Sequence, residues 1–151
     1  MFGSMTLNQR IIEDLKSSIK EKDEVRTSCL RMLKSSLKNK QVEKGRELEE
    51  EEIHAVISSM IRKGNEAIKE FTNGGREDLA RKEEKEINIF YEYLPRQLTP
   101  VEIEKTLKEV ISELMAESPK DLGKVMKLAM SRMAGQAQGK EVNEIARKLL
   151  S

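Results

Sequence analysis

Apolar residues recur at every third or fourth position along almost the whole chain, with charged residues between them. That is the period of an amphipathic α-helix. The first helix is predicted over about residues 6–22, with Leu7, Ile11, Leu15 and Ile19 at i, i+4 spacing. The second runs about 24–44, with Val25, Cys29, Met32, Leu33 and Leu37 on one side, and ends near Gly45. The third, about 49–73, carries Ile53, Val56, Ile57, Met60, Ile61, Ala67, Ile68 and Phe71 in a stripe interrupted by Gly64. The fourth, about 76–94, carries Leu79, Ile87, Phe90, Tyr91 and Leu94. No alternating β-branched run and no Asn-Gly hairpin marks a strand. The expectation is an all-α protein.

Proline and capping residues divide the chain. Pro95 stops the fourth helix, because proline has no N–H and clashes with the preceding turn. Thr99-Pro100-Val101-Glu102 is a capping box with proline at the first helical position. It opens a fifth helix that runs to about residue 116 and buries Ile103, Leu107, Val110, Ile111 and Leu114. Ser118-Pro119-Lys120-Asp121 repeats that logic and opens the sixth, with Leu122, Val125, Met126, Ala129 and Met133 inward. After a loop from Gly135 to Gly139, the last helix spans about 140–150 with Val142, Ile145, Ala146 and Leu149. The expected organisation is an N-terminal four-helix domain over 5–94 and a C-terminal three-helix bundle over 95–151, joined at 95–98. Met1-Phe2-Gly3-Ser4 precede a second methionine, Met5, where the N-terminal domain is expected to begin.

Composition narrows the function. Of 151 residues, 36% are charged and 37% apolar, yet the net charge is only +1, so the surface is salt-laced rather than uniformly basic. Aromatic residues are 3% with no Trp, which argues against base-stacking platforms. One Cys and one His supply neither a disulfide nor a zinc site. No apolar run approaches a membrane span, and no secretory leader is read. An aqueous, reducing compartment follows, and the expected location is cytoplasmic, with no membrane partner.

Single residues offer little chemistry. Cys29 holds a core position and reads as a small hydrophobe. His54 flanks the Ile53/Ile57 stripe and reads as a boundary histidine. Glu49 to Glu52 point around the helix axis and cannot converge on one cation. Most methionines read as gap fillers. Gly135-Gln136-Ala137-Gln138-Gly139-Lys140 lacks the spacing of a P-loop, although a glycine-rich turn before a helix offers N–H groups to a phosphate. No nucleophile-plus-base arrangement is found, and no catalytic, metal-binding or cofactor-binding residue is expected.

The distribution of charge says more. Residues 118–151 hold seven cations against three anions, a net +4. Lys120, Lys124 and Lys127, spaced i, i+4, i+7, are predicted to share one face of the sixth helix. Lys140, Asn143 and Arg147 repeat the geometry on the last. Such clusters suit phosphate-backbone contact without base reading. Residues 16–46 are also basic, with ten cations against four anions.

Several segments together carry a resemblance. They are Arg31-Met32-Leu33-Lys34, Gly75-Arg76-Glu77-Asp78-Leu79, Lys82-Glu83-Glu84-Lys85-Glu86-Ile87, Tyr93-Leu94-Pro95-Arg96-Gln97-Leu98, Ser118 to Met126, and Gly139-Lys140-Glu141-Val142-Asn143. In this order the chain resembles the stand-alone YqeY proteins of the GatB/YqeY family, from Met5 to the C-terminus. The resemblance implies the four-plus-three helical organisation and kinship with the tail of the B subunit of the glutamine-dependent tRNA amidotransferase. That module is also appended to some glutaminyl-tRNA synthetases and is understood to contact tRNA. Carried over by position, the tRNA-facing residues are Lys120, Gly123, Lys124, Lys127, Gly139, Lys140 and Asn143, which Arg147 joins by its spacing. Gly123, without a side chain, would admit a close backbone. The family loop usually reads Gly-Arg-x-Asp-Gly, and Gln136 and Gln138 stand here at its Arg and Asp positions.

The reading is therefore a non-catalytic tRNA-binding accessory protein linked to tRNA-dependent amidation or aminoacylation. Its expected partners are tRNA and an aminoacyl-tRNA synthetase or amidotransferase. Two alternatives stand beside it: a protein-interaction scaffold, and a carbon–nitrogen ligase with glutamine as amido donor, the activity that family membership would hand down.

Overall fold

The computed structural model describes residues 5–151, so the leading tetrapeptide lies outside it. Every regular element among the described residues is helical. The helices are α1 (Leu7–Lys20), α2 (Glu24–Lys44), α3 (Glu50–Asn73), α4 (Glu77–Tyr91), α5 (Pro100–Leu114), α6 (Leu122–Met133) and α7 (Gly139–Leu150), with a 3-10 turn at Pro119–Asp121 before α6. The chain divides into two compact units, one ending at Leu94 and one running from Pro95 to Ser151.

Local chemistry sets the helix ends. Thr6 and Gln9 form a reciprocal capping box at α1. The Asp23 carboxylate accepts from the Arg26 N–H at α2, which Gly45 ends in the left-handed conformation that glycine adopts without a Cβ penalty. At α5 the Glu102 N–H donates to Thr99 Oγ1 at 3.2 Å, and the Thr99 N–H donates to Glu102 Oε1 at 3.0 Å. Arg96 grips the same Glu102 with both guanidinium nitrogens.

In the first unit α3 and α4 pack along their lengths, α1 packs on α2, and α2 reaches both α3 and α4. Its core joins Ile11, Leu15, Cys29, Leu30, Leu33, Leu37, Ile53, Ile57, Ile61, Ile87, Phe90 and Tyr93. Three residues expected inside are outside: Ile19, Val25 and Met32. A row of i, i+4 positions drifts by about 40° per step, so by Ile19 the row begun at Ile11 has left the contact line. Ser18 is buried there instead, donating to the Leu15 carbonyl and accepting from Thr27 Oγ1, each at 2.8 Å. On α2, Leu30 is buried, while Met32, about 200° away around the helix axis, is exposed. Gly64 does not interrupt the α3 stripe. It is buried in line with Ile57 and Ile61, and a Cβ on it would lie 2.8 Å from both Cγ1 and Cδ1 of Ile87. Its bareness lets α4 come close.

The C-terminal end of α4 is fastened by polar contacts. Tyr93 donates to Asp14 Oδ2 at 2.6 Å beneath the Arg10 guanidinium, and Arg26 holds the Glu92 carboxylate bidentately. Burial and the neighbouring Asp14 push the Tyr93 phenol up. Cys29 is fully buried, and burial first, then Glu86 and Glu83, pushes its thiol up to about 12. It carries no thiolate character at neutral pH.

The second unit packs α5, α6 and α7 against one another around Ile103, Leu107, Val110, Val125, Ala129, Met133, Val142, Ala146 and Leu150. Leu114, expected inside, is the last residue of α5 and is exposed.

Candidate nucleic-acid interface

The start of α6 differs from the expectation in a way that touches the site. The Ser118 hydroxyl accepts from the Lys120 N–H at 3.4 Å, and Asp121 Oδ2 turns back to accept from the Glu117 N–H at 3.1 Å. These bonds wind Pro119–Asp121 into a tight 3-10 turn, and the α-helix begins only at Leu122. Lys120 is therefore not part of the α6 face. Lys124 and Lys127, one turn apart, are on the side of α6 away from Val125, Ala129 and Met133.

Lys120, Lys124, Lys127 and Lys140 are exposed, and none of them enters an ion pair among the described residues. Arg132, counted among the basic residues of this segment, is different: Glu113 of α5 neutralises it. Gly123 and Gly139 are exposed, and a Cβ on either would meet nothing within 4 Å. Packing inside the protein does not demand glycine at those two positions. Asn143 is half-buried, and its Oδ1 accepts from Arg147 Nε at 2.7 Å, which orients the guanidinium along α7 while leaving its charge unopposed.

The turn between α6 and α7 has a structural duty that the sequence did not reveal. Gln97 Nε2 donates to the carbonyls of Pro95 and Gly135, at 3.0 and 2.9 Å, and Gln97 Oε1 accepts from Gln138 Nε2 at 3.2 Å. The Leu98 N–H donates to the Gln136 carbonyl at 2.7 Å. The chain ahead of α5 is thus laced to the turn ahead of α7, and Ala137 is buried beneath the lacing. Gln138, the N-cap of α7, spends its side chain on Gln97 and does not cap the first N–H groups of that helix. The glutamines at 97 and 138 were the available signal.

Elsewhere the acidic start of α3 is consumed locally. Glu52 closes the capping box with the Glu49 N–H and is held by Arg46 and Lys44, which keep its carboxyl at about 2. His54 is half-buried beside Ile53 and Ile57. Among the described residues no group of three His, Cys, Asp or Glu is arranged to hold a metal ion, and no helix is long and apolar enough to cross a membrane.

Comparison with known proteins places this geometry in a lineage. The family model of Yqey-like proteins matches residues 8–150. Among curated proteins, the chain is 35% identical over 106 residues to "Altered inheritance of mitochondria protein 41, mitochondrial" of Lachancea thermotolerans, an alignment covering 70% of this chain and 56% of that protein. The like-named proteins of Kluyveromyces lactis and Candida glabrata are 30% and 29% identical, with 71% and 70% of this chain and 60% and 58% of theirs covered. The chain thus spans somewhat more than half the length of these relatives. Their names overturn the expectation of a cytoplasmic location, since the relatives are mitochondrial proteins. A charged surface and a single thiol suit any aqueous, reducing compartment, so composition did not discriminate between cytoplasm and mitochondrion.

Proposed function

The chain belongs to the family of Yqey-like proteins, and from that premise we propose that it is a non-catalytic accessory protein that holds the backbone of tRNA, in the service of tRNA-dependent amidation or aminoacylation. The contact residues are Lys120 in the 3-10 turn, Gly123, Lys124 and Lys127 on α6, and Gly139, Lys140, Asn143 and Arg147 on α7. Residues 5–94 serve as a four-helix domain and 95–151 as the three-helix domain that meets the nucleic acid, beside a synthetase or amidotransferase partner. The observation that carries this reading is the set of four exposed lysines in one compact unit with no carboxylate engaging them. A polyanion offers such ammonium groups the partners the chain withholds. Recognition of this kind follows shape and charge, without base edges.

The test is a salt titration of tRNA binding by fluorescence anisotropy. Affinity falls with rising salt, and Lys124→Glu combined with Lys127→Glu makes the log K against log salt slope shallower by about 1.4–1.8, since each phosphate contact contributes about 0.7–0.9. Absence of binding at low salt, or an unchanged slope in the double variant, overturns the proposal. Recovery of a protein partner that survives nuclease treatment, without tRNA, points instead to a scaffold.

A further inference from the structure

The first unit holds a feature the tRNA reading does not use. A groove of about 670 Å³ runs between α1 and the C-terminal half of α2. Half-buried Ile12 lines it, the core residue Leu37 forms its floor with only 5% of its surface exposed, and Val42 stands at its edge. Lys34, Lys38 and Gln41 flank it from α2, Asn8 from α1, and Arg46 and Glu47 close one end. Lys34, Lys38 and Gln41 are exposed, and neither lysine enters an ion pair among the described residues. Arg46 is already engaged by Glu52. Val42 is 73% exposed, on the turn between Lys38 and Arg46.

We propose that this groove docks the apolar face of an acidic amphipathic helix from a partner protein. The volume lies within the range of small-molecule sites, but such sites enclose their ligands, and here the walls stand open to water. A nucleic-acid backbone would be served by the cations alone and gains nothing from Ile12, Leu37 and Val42 lying among them. A helix suits both halves of the surface. Apolar side chains at i, i+3 and i+4 settle on the strip while carboxylates on the flanks reach Lys34 and Lys38. Charge complementarity sets the sign of the partner, because Lys34 and Lys38 flank the groove without an ion pair among the described residues, while the lining carboxylate of Glu47 sits at the end beside the already paired Arg46.

The experiment uses the full chain and a fluorescein-labelled peptide of about 18 residues, about five helical turns, with leucines on one face and glutamates on the other. A peptide of the same composition with its leucines scattered around the helix is the control. The patterned peptide is expected to bind saturably, and the scattered one about tenfold more weakly. Lys34→Glu combined with Lys38→Glu, and separately Val42→Asp, each weaken binding by about tenfold. All three positions are exposed, so the variants keep their fold, as circular dichroism verifies. No binding, equal binding of the two peptides, or indifference to both variants overturns the proposal. So does a loss of tRNA affinity in the Lys34→Glu, Lys38→Glu protein, which would make the groove a nucleic-acid surface.

Discussion

Replacing Gly64 by alanine pits two known effects against each other at one place. On helix propensity alone, alanine in the interior of α3 would stabilise the protein by about 1 kcal/mol. The structure reverses the sign. The added Cβ would stand 2.8 Å from Ile87 Cγ1 and Cδ1, whereas carbon atoms rest about 3.5–4.0 Å apart. Ile87 belongs to the packed core, so α4 must shift or Ile87 must leave its rotamer, an overpacking cost of about 1–3 kcal/mol. The net expectation is a loss of about 1 kcal/mol. A double-mutant cycle makes this decisive. Ile87→Ala costs about 2–5 kcal/mol by leaving a cavity, but in that background the clash is gone and Gly64→Ala should stabilise by about 1 kcal/mol. The coupling is then about 2 kcal/mol, well above the scatter of independent sites. Urea unfolding followed by far-UV circular dichroism measures all four proteins. Should Gly64→Ala stabilise the otherwise unchanged chain by the full propensity gain, the close approach of α3 and α4 at this point is refuted.

Gln97→Ala removes two hydrogen bonds that join the segment before α5 to the turn before α7, and a third within the segment itself, to the Pro95 carbonyl, and should cost the second unit about 1–3 kcal/mol in urea unfolding. An unchanged midpoint would mean that water replaces the lacing without loss. Glu86 is buried on α4 beside Glu83, and burial followed by that neighbour raises its pKa. A raised folded-state pKa means the native state binds the proton more tightly, so this residue's contribution falls as pH rises from its unfolded value of about 4.3 upward. Glu86→Gln should therefore raise the melting temperature at pH 7 and bring no gain near pH 4. Equal gains at both values would dissociate the effect from ionisation.

The helical class and most boundaries were legible because they depend on local signals. The period, the Thr99 box, the Gly45 stop and the Pro95 break all act within a turn or two of themselves. Burial was legible only where a residue stayed on the contact line. Ile19 and Met32 were misplaced because spacing fixes a residue's direction around its own helix but not where the neighbouring helix lies. Gly64 shows the same limit from the other side: its meaning is written in Ile87, twenty-three positions later. At the candidate interface the lysines could be found from sequence, but their availability could not. Arg132 is already paired with Glu113 on another helix, and Lys120 leaves the α6 face because Asp121 bonds backward to Glu117. The compartment was not legible at all, since composition is shared by many aqueous ones.

Arginine and lysine divide the labour in this chain. Seven of its ten arginines enter ion pairs among the described residues, but only four of its eighteen lysines do. The guanidinium fork matches a carboxylate with two parallel bonds, as Arg26, Arg46, Arg76 and Arg96 do here, whereas an ammonium on a flexible stem gains little from a fixed partner. The internal pairs therefore draw on arginine, and most of the positive field left for an outside partner is lysine's, with Arg147 the arginine among the proposed contacts. That division predicts a double dissociation. Arg96→Gln with Arg132→Gln should lower the melting temperature, because Glu102 and Glu113 lose their partners, and should leave tRNA affinity nearly unchanged. Lys124→Gln with Lys127→Gln should leave the melting temperature where it was and weaken tRNA binding most at low salt, where unscreened charges act farthest. If both pairs of substitutions moved both quantities together, the lysines would be part of the fold's own electrostatics, and the interface proposed on α6 and α7 would lose its physical basis.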